Sequence, residues 1–174
     1  FQAEDGIRDC TPWLEFWRVL FRSYDEITQH LINVFKGSKL IEYKEIEFDD
    51  DEDINFLVTP KIKLSKIKKN IDLKLIVYCS DEHQLTIYCP TLFRLKDNDS
   101  VMYTLNALNN VNSKIALGKI YLNPNNSSVI SYINRVLFND ITNELTTDLF
   151  EDYISSFIMA SIQLYEEIKD RYES

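Results

Sequence analysis

Glycine is almost missing from this chain, with three residues in 174. That scarcity excludes a phosphate-cradling GxxxxGK loop, a GxGxxG dinucleotide fingerprint and a GxSxG nucleophile elbow, each of which needs closely spaced glycines. Histidine is limited to His30 and His83. A histidine-rich metal site is therefore impossible, and a Ser/His/Asp triad would have to use one of these two. His83 follows Asp81-Glu82, where a turn residue is expected and not a base. The three cysteines are odd in number and lack CxxC spacing, which reads as reduced thiols and not as a disulfide framework. No run of about 18 apolar residues is present to cross a bilayer, and no charged start, apolar stretch and small-residue cleavage site marks a signal peptide. A cytoplasmic protein without membrane insertion is expected. Basic residues are in deficit too: the net charge of −9 makes a phosphate backbone a poor electrostatic match, because nonspecific nucleic-acid affinity comes from a Lys/Arg surplus.

What is present is the composition of an ordinary folded domain, 45 % hydrophobic and 27 % charged, long enough to bury a sizeable core. Richness in Asn, Ile, Lys and Tyr points to an AT-rich bacterial genome. The opening stretch, from Phe1-Gln2-Ala3-Glu4-Asp5-Gly6 through Arg22-Ser23, resembles translated sequencing-adapter sequence. Residues 1–23 are accordingly read as a non-native segment and 24–174 as one domain. The alternative is an amphipathic N-terminal helix, since Trp13, Phe16, Trp17 and Leu20 recur at helical spacing.

From Tyr24 onward, Ile27, Leu31, Val34 and Phe35 share one helical face, with Gly37 as the permissive residue where a C-terminal cap is expected. Residues 40–48 alternate as a strand until Asp49-Asp50-Asp51-Glu52-Asp53 interrupts; Ile54 to Val58 resumes it and Pro60 ends it or holds it at an edge. Leu73 to Tyr78 and Leu85 to Cys89 form a hairpin around Ser80-Asp81-Glu82, closed by Pro90. A second helix spans about 100 to 112, with Val101, Leu105, Leu108 and Val111 as its core stripe. Ile115 to Leu122 and Val129 to Leu137 make a second hairpin around residues 123–127. A long last helix, capped by Thr142 or Thr146, runs to about Arg171. The fold class is α+β: an antiparallel sheet packed with helices, in the order α, three or four strands, α, two strands, α. With 40–58 taken as one interrupted strand this is α-β-β-β-α-β-β-α with about five strands.

Each conspicuous group has a plain structural reading. Asn106, Asn109, Asn110 and Asn112 are expected to satisfy backbone groups where the second helix joins the next strand. Gly118, inside a strand pattern, marks a bulge or a close approach of another backbone. Cys79 and Cys89 lie on neighbouring strands and could face each other, but alternation favours buried, inert thiols. The acidic run could attract a divalent cation, yet it lacks the spaced carboxylates and the turn glycine of a calcium loop and reads as a solvated loop. Lys61, Lys63, Lys66, Lys68 and Lys69 read as a solvated face balancing those acids. The last helix is apolar over a wide arc, with Phe150, Ile154, Ile158, Ile162 and Tyr165 beside the main stripe. Such a helix must be buried on two sides, either inside the fold or against a partner.

The order of elements, together with Leu105-Asn106-Ala107-Leu108-Asn109 and Gly118-Lys119-Ile120-Tyr121-Leu122 followed by a turn into Val129-Ile130, resembles the YbjN-like family of bacterial proteins. The resemblance covers about 70–174 in sequence and 24–69 in topology only. It implies the fold of type III secretion chaperones and a non-enzymatic role in binding or regulating another protein, often as a homodimer, with no cofactor. The contact is expected on the second and last helices, through Leu105, Leu108 and Phe157. Two rival readings are a nucleic-acid-binding regulator using Lys61 to Lys69, and a small metal enzyme using carboxylates of the acidic run.

Overall fold

The computed structural model describes residues 25–46, 54–61, 73–81, 83–95 and 101–169. The opening segment, the acidic run, the lysines beyond Lys61 and the end of the chain lie outside the described residues, and so do the expectations that fall on them.

Helix α1 covers 25–37. Four strands follow, β1 (Ile41–Ile46), β2 (Ile54–Pro60), β3 (Leu75–Asp81) and β4 (Gln84–Arg94), then helix α2 (Val101–Asn112), strands β5 (Lys119–Asn123) and β6 (Asn126–Leu137), and helices α3 (Ile141–Glu144) and α4 (Thr147–Ile168). The six strands form one antiparallel sheet in the order β1-β2-β3-β4-β6-β5. The expected α+β class therefore holds, with six strands in place of about five. The residues before and after the acidic run do not continue one strand; they turn back on each other, with Ile41 opposite Pro60 and Ile46 opposite Asn55.

Pro90 does not close its strand. Strand β4 runs on to Arg94, and its pairing with β6 shifts by two residues between Cys89 and Phe93. A proline has no N–H to give to a ladder, and a bulge is where a strand tolerates that loss. The bulge also leaves the Pro90 carbonyl to accept from Ser131 Oγ at 2.7 Å and turns the consecutive Leu92 and Phe93 both into the core.

Cross-strand partners share a face, so the register places Phe56, Val77, Ile87, Cys89, Tyr132 and Ile120 on one side of the sheet, all buried. The helices cover this side. Phe35 of α1 meets Phe56 edge-on at 5.0 Å and Phe150 of α4 at 5.0 Å, and Phe157 of α4 meets Tyr132 at 4.9 Å. These ring pairs tie both helices to opposite ends of the sheet.

Gly37 is the last helical residue of α1 and has no left-handed conformation. Its missing side chain serves packing, since a Cβ there would lie 2.7 Å from Thr147 Oγ1 at the start of α4. The expected single last helix is two. Asp140 caps α3 by accepting from Thr142 N at 2.8 Å, and Thr146 caps α4 by accepting from Leu149 N at 3.2 Å. Of the two threonines read as caps, Thr146 does the work on α4.

Candidate functional site

Helix α2 lies beside α4 and over the edge strand β5. Its contact stripe is Thr104, Ala107, Leu108 and Val111, all buried, a rotation from the expected stripe. Ala107 and Thr104 are small enough to let the helix sit close, which leaves Val101 and Leu105 on the flank. On the other flank Tyr103 Oη donates to the Glu167 carbonyl at 2.9 Å and Asn110 Nδ2 donates to Glu167 Oε1 at 2.6 Å. At its end, Asn112 Nδ2 donates to the Ile120 carbonyl at 2.8 Å while Ile120 N donates to Asn112 Oδ1 at 2.9 Å. One amide side chain thus imitates a neighbouring strand and occupies the outer edge of β5 at Ile120, the role expected of the asparagine cluster.

Of the six large apolar residues exposed among those described, four are on α2: Val101, Met102, Tyr103 and Leu105. Met102 is 72 % exposed and Leu105 39 %. None of the twelve residues of this helix is charged. The three residues expected to make the contact are separated by the structure: Leu105 is at the surface, whereas Leu108 and Phe157 are buried in the core. Leu108 faces inward from α2, and Phe157 is enclosed against Tyr132. Neither presents its side chain at the surface of the chain. The wide apolar arc of α4 is explained by packing within the chain, since Phe150, Tyr153, Ile154, Phe157, Ile158, Leu164 and Ile168 are all buried and Met159 alone among its large apolar residues is exposed. Met102 and Tyr103 were missed as surface residues; the available signal was that both fall outside the periodic stripe of α2.

The sheet face away from the helices offers a second surface. Register aligns Lys44, Leu57, Ile76, Tyr88, Ile133 and Lys119 in one row across all six strands. The four central side chains are half-buried and apolar or aromatic, and a lysine stands at each end.

The titratable groups singled out by sequence have structural partners. His30 Nε2 donates to the Leu145 carbonyl at 2.8 Å and His83 Nδ1 to the Asn139 carbonyl at 2.7 Å. Cys79 and Cys89 are buried, are not joined in a disulfide and do not face each other, because Cys79 is opposite Leu85. Burial pushes the Cys89 thiol up to about 12. Gly118 precedes β5 with φ +76°, and a side chain there would collide with the ring of Tyr132. The close approach expected at this glycine is made by an aromatic ring and not by a backbone. Lys61 is exposed, and its amide donates to the Leu40 carbonyl at 2.7 Å. No helix among the described residues is long and apolar enough to cross a membrane. No protein-family model matches the chain, and no curated protein matches it.

Proposed function

We propose that this chain is a YbjN-like, non-enzymatic protein-binding module that acts as a chaperone-like or regulatory adaptor in the cytoplasm and pairs with a second copy of itself through α2. The observation that carries the reading is the concentration of exposed Val101, Met102, Tyr103 and Leu105 on one uncharged helix. Methionine and aromatic side chains are what interface centres are rich in, and charged residues are what they lack. The absence of charge matters for the choice of partner. Two chains of net charge −9 repel each other over most of their surfaces, and an uncharged helix surface lets them meet without opposing like charges.

Sedimentation equilibrium of the full chain over the micromolar range tests the pairing. A concentration-dependent dimer that Met102→Glu together with Leu105→Glu converts to monomer is the expected outcome. A strict monomer at high micromolar concentration would overturn it.

A further inference from the structure

Strand β5 begins at Lys119, opposite Ile133, while β6 continues to Leu137. Past Ile133, β6 therefore has β4 on one side and no strand on the other. A cavity of about 740 Å³ occupies this notch, a size ordinary for a small-molecule site. Alternation sets Lys119, Tyr121, Ile133 and Arg135 on the open face of the sheet, and Gly118 brings the preceding loop round as the remaining wall. Asn134, between Ile133 and Arg135, also borders the cavity, but it stands opposite Ile87 and so turns its side chain to the helix-covered face, where it is buried.

The charge of the notch runs against that of the molecule. The chain has 28 acidic residues against 19 basic ones, yet among the described residues two cations and no carboxylate line the cavity. Neither Lys119 nor Arg135 is ion-paired among the described residues. The field of Arg135 reaches the Tyr121 hydroxyl: burial and the neighbouring Tyr88 raise that phenol, while hydrogen bonding to Ser131 and the Arg135 charge pull it back.

We propose that this notch binds a phosphate-bearing small molecule, with Arg135 and Lys119 neutralising the phosphate and Tyr121 and Ile133 packing against the organic part. Phosphate is chosen over carboxylate on charge: a phosphomonoester carries about two negative charges to meet the guanidinium and the ammonium, whereas a carboxylate carries about one.

Calorimetric titration of the full chain with phenyl phosphate, inorganic phosphate and benzoate at low ionic strength tests the site. Phenyl phosphate is expected to bind saturably, inorganic phosphate more weakly and benzoate weakest. Arg135→Gln, at an exposed position where the fold is retained, is expected to weaken phenyl phosphate by at least about tenfold. Lys119→Gln, at another exposed position lining the notch, is expected to weaken phenyl phosphate and narrow its lead over benzoate. The proposal is overturned by an absence of saturable binding, by affinity unchanged in Arg135→Gln, or by benzoate binding as tightly as phenyl phosphate.

Discussion

At the scale of single residues, three positions govern how the sheet edge and core are held. Asn112 is the first. Its two bonds to Ile120 satisfy a buried residue's N–H and C=O, so Asn112→Ala should cost about 2 kcal/mol in chemical denaturation. Asn112→Asp keeps the acceptor and loses the donor, and should fall between the two. Gly118 is the second. Its left-handed backbone and the adjoining Tyr132 ring make Gly118→Ala costly by about 2 kcal/mol. The loss should be smaller in a Tyr132→Phe background, where the hydroxyl is gone and the ring remains; equal losses in both backgrounds would show that the hydroxyl contact contributes nothing. Cys89 is the third. A thiol raised in the folded state from its ordinary 9.0 to about 12 keeps its proton longer when folded than when unfolded. The associated stability is complete below about pH 9 and is lost as pH rises toward 12. Denaturation midpoints should therefore decline with pH over that window, and less steeply in Cys89→Ala.

At the scale of elements, legibility followed how local the determining physics is. The hairpins β3–β4 and β5–β6 were readable because alternation and turn residues are written within a few positions of each other. Pro90 was misread because its effect depends on what lies opposite: only the bulge against Ser131 lets the strand continue. The α2 stripe was misplaced because Thr104 and Ala107 are weak hydrophobic signals, and close packing against α4 selects small side chains over large ones. A wide apolar arc, as on α4, demands burial but does not say whether chain or partner provides it. The pairing between α1 and α4 is another contact that sequence does not announce. Glu151 accepts from Ser38 Oγ at 2.7 Å and from Lys39 N at 2.9 Å, and the Ser38 hydroxyl, followed by the Lys39 amide, holds its carboxyl below the usual value of 4.5. A lowered folded-state value contributes stability above 4.5 that fades as pH falls through the folded-state value. Glu151→Gln should flatten that acid-side decline in a thermal melt; a decline identical to the native chain's would assign it to other carboxylates.

At the scale of the whole molecule, the architecture separates two faces of one sheet. One is sealed by α1, α2 and α4 over an aromatic core. The other carries the row from Lys44 to Lys119, and α2 adds its neutral flank at the border between them. The broad α+β layering was visible in the order of amphipathic segments. The surface was not, because a sequence shows which residues are apolar and only the packed molecule shows which of them remain uncovered. The central claim, that those uncovered residues are where this protein meets its partner, is tested most directly by hydrogen-exchange mass spectrometry of the full chain at low and high concentration. The account predicts that amides of Val101–Leu105 slow as concentration rises while those of buried β3 stay constant. Slowing confined to other segments, with α2 exchanging at the same rate throughout, would contradict it.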